Sequence, residues 1–187
     1  IEKKILKLDE RIKYIRNENN TGLSSSRNTG IFNAKGKYFT FCDDDDSWMP
    51  EFVEENIKIA DKYDDKWIFC SCSKQKNFFN EYIEVLCDHE GELKSFIKDG
   101  YTPPVSSQFY NLQSLKKIGG YNENVKSGVD HDLWIKLAKE NFKIKYIPKI
   151  LTIPNVNSIK DRSTLKYKKR INLVIHCAAF TDARSPV

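Results

Sequence analysis

The sequence predicts an α/β domain: a mixed, mostly parallel sheet flanked by helices. Three observations point there. Strand-length apolar runs alternate with helical segments through the first half of the chain, as in βαβ units. The 187 residues are 40% hydrophobic and 12% aromatic, enough to bury one core. No run reaches the roughly 18 apolar residues that a membrane span requires. Eleven Phe, nine Tyr and three Trp exclude a solvated coil as the main state. Residues 1–187 read as a single domain, with 181–187 (TDARSPV) set apart as a frayed or non-native tail.

The elements follow in order. Ile1, Ile5 and Leu8 sit at helical spacing, so residues 1–9 read as the tail of a helix. Residues 11–16 alternate Ile12, Tyr14 and Ile15 with basic neighbours and predict a short strand. Asn17 to Gly22 is turn chemistry, and a helix follows over 23–34. Residues 37–42 (KYFTFC) predict a buried strand that runs into Asp43, Asp44, Asp45 and Asp46. Ser47 is expected to cap the next helix, with Pro50 in its first turn and Phe52, Val53, Ile57 and Ala60 on one face.

Residues 66–72 (KWIFCSC) and 82–86 (YIEVL) predict strands, and 92–98 a short helix. Residues 106–110 read as extended, and 112–118 as a helix closed by Gly119 and Gly120. Val129, Leu133, Trp134, Leu137 and Ala138 mark an amphipathic helix, with Trp134 assigned to the core. Two short strands are expected over 144–147 and 150–153, split by Pro148, and a last helix over 165–179.

Lys and Arg outnumber Asp and Glu by 31 to 26, a mild net charge of +5 with the signs interspersed. That suits an anionic substrate without demanding nucleic acid, and no basic–aromatic platform stands out. Five cysteines, with Cys70 and Cys72 only two apart, point to free thiols in a reducing compartment. One C-x-C and three scattered His do not make a zinc set. The first residues show no signal-peptide core.

Three segments carry chemistry. Four consecutive Asp at the carboxyl end of a strand repel one another unless a cation or strong donors compensate. Mg²⁺ or Mn²⁺ takes carboxylate oxygens and keeps places for phosphate oxygens. Asp43 and Asp45, as alternate residues, can face one way; a solvated acidic turn with a cap from Asp46 or Ser47 is the plainer alternative. Arg27, in SSSRNTG, offers a guanidinium suited to a diphosphate or base edge, against the alternative of an exposed helical Arg. Asn28 reads equally well as a buried structural amide. Asp130, His131 and Asp132 open the amphipathic helix; capping accounts for one Asp, and the other could act as general base toward a sugar hydroxyl.

Taken together, these segments resemble the inverting glycosyltransferases of family 2. The likeness rests on residues 11–50 (RIKYIRNENNTGLSSSRNTGIFNAKGKYFTFCDDDDSWMP), with an R-N helix start, A-x-G-x-Y-x-x-F, a D-x-D loop and W-x-P. It rests also on residues 119–148, where a G-G-Y-N-E turn leads to V-D-H-D-L-W. It covers about residues 1–155. The resemblance implies a GT-A-like, Rossmann-related fold and sugar transfer from a nucleotide-sugar, a UDP-sugar, to a hydroxyl of a glycan or lipid-linked acceptor. It implies that Arg27, Asp43 and Asp44 bind the donor, that Asp45 with Asp43 holds Mn²⁺ or Mg²⁺, and that Asp130 is the general base. Trp48 and His131 are then acceptor-side candidates.

The sequence departs from that family at its start. The family's opening strand–helix–strand, with the acidic residue that reads uracil, is not seen, so the chain reads as N-terminally truncated, with an open sheet edge that favours a homodimer. Val129 stands where many members have Glu, and residues 154–158 (PNVNS) lack a His that some relatives carry. A Q-x-x-R-W pattern of processive membrane synthases is absent. The expected setting is cytoplasmic, with peripheral contact at the inner membrane face. A nucleotidyltransferase would also use an acidic metal loop, but calls for a Gly-rich basic phosphate loop. A folded fragment that binds no donor is the third alternative.

Overall fold

A computed structural model describes residue 9 and residues 11–76, 81–98 and 103–154. The elements are α1 (Leu23–Asn33), β1 (Tyr38–Thr40), β2 (Ser47–Trp48), α2 (Phe52–Ala60), β3 (Trp67–Lys76), β4 (Tyr82–Val85) and β5 (Glu90–Glu92). They continue with α3 (Leu93–Ile97), a 3₁₀ turn (Val105–Ser107), β6 (Gln108–Asn111), α4 (Leu112–Lys117), α5 (Val129–Lys139) and β7 (Lys143–Ile153). The expected helix at 165–179, the tail at 181–187 and all but Asp9 of the expected helix at 1–9 lie outside the described residues.

The sheet order is β1-β6-β3-β7-β2, with β4 added to β3 and β5 to β7. The sheet is mixed, as expected, but not mostly parallel among the described residues. Only β3 and β7 run parallel; β1/β6, β6/β3, β3/β4, β5/β7 and β2/β7 are antiparallel. The alternation of strands and helices along the sequence suggests consecutive βαβ units. Instead α2 leads from β2 to β3, which are not neighbours, and β6 enters between β1 and β3 in the opposite sense.

Alternation along the strands builds a core on each face of the sheet. Phe39, Ile68, Cys70, Tyr110, Ile144 and Tyr146 face α5 and its neighbours, where Leu133, Trp134 and Leu137 are fully buried. Tyr38, Phe69, Phe109, Ile147 and Leu151 face α2, whose Phe52 and Ala60 close the second cluster. Trp134 is a core residue, as expected.

Three further local expectations are corrected. Residues 11–16 form no ladder, because the described residues bring no strand alongside them. Ser47 does not cap a helix; it pairs with Ile153 in β2, and α2 starts at Phe52 after Glu51. Pro50 cannot donate a ladder hydrogen bond, so the strand stops before it and the helix begins beyond it. Pro148 does not split β7. The register slips between Ser71↔Ile147 and Cys72↔Ile150, so the exposed Pro148 bulges out and the strand continues.

Candidate functional site

The site forms where β1 ends, under the first turns of α1 and α5. Helix α1 turns polar residues inward. Ser24, Ser26, Arg27 and Asn28 are buried, while Leu23 and Phe32 are 52% and 51% exposed. A helix that buries polar groups and exposes apolar ones is not placed by hydrophobic packing alone. An unpaired buried polar group costs about 1–3 kcal/mol; Ser24 Oγ has no partner among the described residues, whereas Ser26, Arg27 and Asn28 have them.

Arg27 finds them in two distant segments. Its side chain is 5% exposed and pairs through Nη1 with Asp130 Oδ1, and through Nη2 with Asp43 Oδ1 at 3.6 Å. The guanidinium lies 5.3 Å from the ring centroids of both Phe41 and Tyr121, so its flat faces meet aromatic surface. Burial alone would make the cation easier to discharge. Tyr121, Asp130 and Asp43 outweigh it and hold Arg27 firmly charged. The exposed-helix alternative for Arg27 is therefore excluded.

Asn28 is the structural amide. Its Nδ2 donates to Tyr121 O at 3.0 Å and Glu123 Oε1 at 2.9 Å, and its Oδ1 accepts Tyr121 N–H at 2.8 Å. The close approach requires Gly120, whose φ is +61° and where a Cβ would stand 2.4 Å from Asn28 Oδ1. The paired glycines thus end α4 and also admit this clamp.

The acidic loop is held at both ends. Asp43 N–H donates to Ser106 Oγ at 3.0 Å, and Trp48 Nε1–H donates to Ser106 O at 2.7 Å. The Trp48 ring stacks on Phe52, 4.5 Å between centroids and 7° from parallel. Between these anchors, Asp46 N–H closes a turn on Asp43 O, with Asp44 and Asp45 exposed. Burial raises the Asp43 carboxyl above the usual range; Arg27 opposes this, and Asp46, Asp130 and Asp45 add to it.

On α5, Gly128 occupies the N-cap position in the left-handed conformation, and no side chain caps the helix. Asp130 and Asp132 lie in the first turn, so neither is consumed by capping. The Asp130 side chain is 33% exposed, and it is bound to Arg27 and to Tyr121 Oη at 3.0 Å. His131, beside it, is half-buried.

The structure therefore brings together Arg27, Asp43 and Asp130. It places Asp44, Asp45, Trp48 and His131 on the adjoining loop and helix turn. Sequence reasoning missed Tyr121 and Ser106. Tyr121 was legible within G-G-Y, but its hydroxyl had no stated task; Ser106 lies in a segment read only as extended.

Residues 1–117 match the model of Glycosyl transferase family 2. The chain belongs to this family. Among curated relatives, an uncharacterized glycosyltransferase of Rickettsia felis is 34% identical over 141 residues, 73% of this chain and 23% of that protein. One of Methanocaldococcus jannaschii is 28% identical over 162 residues, 82% of this chain and 55% of its own. The GalNAc(5)-diNAcBac-PP-undecaprenol beta-1,3-glucosyltransferase of Campylobacter jejuni is 30% identical over 149 residues, 78% of this chain and 47% of that one. The chain thus spans between a quarter and about half of these relatives' lengths.

Solved structures share the fold at low identity. S. aureus TarS 1-349 in complex with UDP-GlcNAc superposes with a TM-score of 0.65 at 19% identity, over 84% of this chain and 46% of that one. GalNAc-T7 with UDP, GalNAc and Mn²⁺ gives 0.61 at 12%, over 84% and 34%. The fold is that of the GT-A glycosyltransferases, as the family resemblance implied.

Proposed function

We propose that the protein transfers a sugar, with inversion, from a UDP-sugar to a hydroxyl of a glycan or lipid-linked acceptor. Asp130 acts as general base, and Arg27, Asp43 and Asp44 form the donor side. The observation that carries this reading is the convergence of Asp43 and Asp130, 87 positions apart in sequence, on one buried guanidinium at the carboxyl end of β1. The loop end is the usual crevice for a nucleotide in open α/β sheets. The partly exposed carboxylate opposite would meet the acceptor. The family membership and the UDP-GlcNAc complex of TarS support the donor class, and the lipid-linked substrate in the Campylobacter relative's name supports the acceptor class.

Asp130 takes the proton of the acceptor hydroxyl as its oxygen bonds to the anomeric carbon. The bond from that carbon to the diphosphate oxygen breaks, and its electron pair leaves with the nucleoside diphosphate. Arg27 orients Asp130 through their ion pair. It also places positive charge beside Asp43, where diphosphate would sit.

The donor set fits a divalent cation. No three His, Cys, Asp or Glu side chains converge on a metal position among the described residues. Mg²⁺ and Mn²⁺ commonly need only one or two carboxylates when phosphate oxygens and water complete the shell. Asp45 is exposed on the turn, and Asp43 stands two residues away. These two would hold the ion, which would supply charge neutralisation to the departing diphosphate. Trp48 and His131 remain our acceptor-side candidates. The setting we infer is the cytoplasmic membrane face, where a lipid-linked acceptor would be met; no described helix is long and apolar enough to cross a membrane.

The test is calorimetric titration of UDP with and without Mn²⁺, against GDP and CMP, on the parent and Asp130→Asn proteins. The expected result is metal-dependent binding selective for UDP that survives in Asp130→Asn, while sugar transfer is lost. A folded protein that binds none of the nucleotides overturns the reading. Normal transfer by Asp130→Asn overturns the base assignment.

A further inference from the structure

We propose that Tyr121 is a positioning residue for the transfer reaction: its hydroxyl fixes the Asp130 carboxylate so that one oxygen stays free for the acceptor. This rests on the proposed role of Asp130 as base. The phenol donates to Asp130 Oδ1 at 3.0 Å and accepts from Arg27 Nη1 at 3.5 Å. Arg27 Nη1 donates to the same Oδ1. Both protein donors thus fall on one oxygen. Oδ2 has no hydrogen-bond partner among the described residues, and the side chain is 33% exposed. A carboxylate held by two donors on one oxygen cannot rotate freely, and its other oxygen is presented in a fixed direction. That is the geometric requirement on a general base.

Tyr121 is itself held from three sides. Asn28 binds its backbone N–H and C=O, and Phe41 meets its ring edge-on at 5.7 Å between centroids. Arg27 stacks near the ring face. Adjacent residues of α1 therefore act on the base by two routes: Arg27 binds Asp130, and Asn28 clamps the residue that binds Asp130. A phenylalanine would satisfy the packing and the cation–π contact equally. Only the hydroxyl distinguishes Tyr121, and its described partners are Asp130 and Arg27.

The experiment is a double-mutant cycle with Tyr121→Phe, Asp130→Asn and the double variant. Release of UDP is followed from UDP-GlcNAc, UDP-glucose and UDP-GalNAc with Mn²⁺, water serving as acceptor, and the fastest donor is carried forward. Tyr121→Phe keeps the ring, so the fold and the donor KM are expected to hold while kcat falls about 10- to 100-fold, the range of a hydrogen bond to a charged group. In the Asp130→Asn background, read on its slow residual release of UDP, the same change is expected to cost less than threefold, since the group it orients is gone.

A structural role would instead raise donor KM, lower the thermal midpoint, or cost the same factor in both backgrounds; any of these overturns the proposal. So does full turnover by Tyr121→Phe beside an inactive Asp130→Asn, which leaves the base assignment standing. Full turnover by Asp130→Asn, or no UDP release by the parent from any donor, removes the underlying reading and this proposal with it.

Discussion

Replacing Asn28 by alanine tests how much of the site rests on one amide. The change removes the partners of Tyr121 N–H and Tyr121 C=O, and one donor to Glu123. Tyr121 is 3% exposed, so water does not readily replace the lost backbone partners. Each buried group left unsatisfied costs about 1–3 kcal/mol. The exposed Glu123 contributes little. The sum is about 2–6 kcal/mol, a large share of the roughly 5–15 kcal/mol that holds a domain folded.

Urea unfolding read by tryptophan fluorescence measures it. At a mid-range slope of about 2 kcal/mol/M, the midpoint should fall by roughly 1–3 M with the slope unchanged. Asn33→Ala in the same helix is the control. Its amide reaches Thr29 O at 2.8 Å from an exposed position, and its loss should stay within about 0.5 kcal/mol. If Asn28→Ala moves the midpoint no more than Asn33→Ala does, the clamp is not holding Tyr121, and the account of the adjacent Arg27 and Asn28 fails.

Two further outcomes follow from the same geometry. Asp45→Asn should abolish metal-dependent UDP binding in calorimetry while leaving the thermal midpoint of the unliganded protein within a degree or two, as expected for an exposed turn residue. Burial pushes the Tyr121 phenol well above its usual range, with Arg27 opposing and Asp130 adding; burial does the same to Tyr110. A phenol whose folded pKa is raised binds its proton in the folded state at pH values where the unfolded chain has lost it. Both groups are neutral below about pH 9 and cost nothing there. Above about pH 10 they make stability fall as pH rises. Tyrosinate absorbance should therefore show these two phenols ionising together with unfolding; their titration with the exposed tyrosines in a still-folded protein would contradict the burial.

Much of the fold was legible because its helices and strands are built on burial. The strand at 66–72, the amphipathic α5 and the glycine-ended α4 follow from apolar spacing and local backbone chemistry. Sheet direction was not legible. The order that places β6 between β1 and β3 depends on pairing across dozens of residues, which periodicity does not encode. Pro148 shows the same limit, since the bulge that tolerates it exists only because β3 continues alongside.

The site was legible in its acids and Arg27, and not in its supports. Ser106 and Tyr121 carry no unusual composition or spacing. Their value is that one holds the acidic loop and the other holds Asp130.

Arg27 explains why these pieces must form together. A guanidinium taken out of water is costly unless paired, and pairing with one carboxylate at a half-exposed position repays that poorly. Here one carboxylate comes from the loop after β1 and another from the first turn of α5, with aromatic rings on the remaining faces. Neither segment can leave without stranding the cation. The acidic loop and Asp130 are therefore tied through Arg27, which pairs with both. A substitution at Arg27 should disturb donor affinity and turnover together, whereas changes at Asp45 and Tyr121 should separate them.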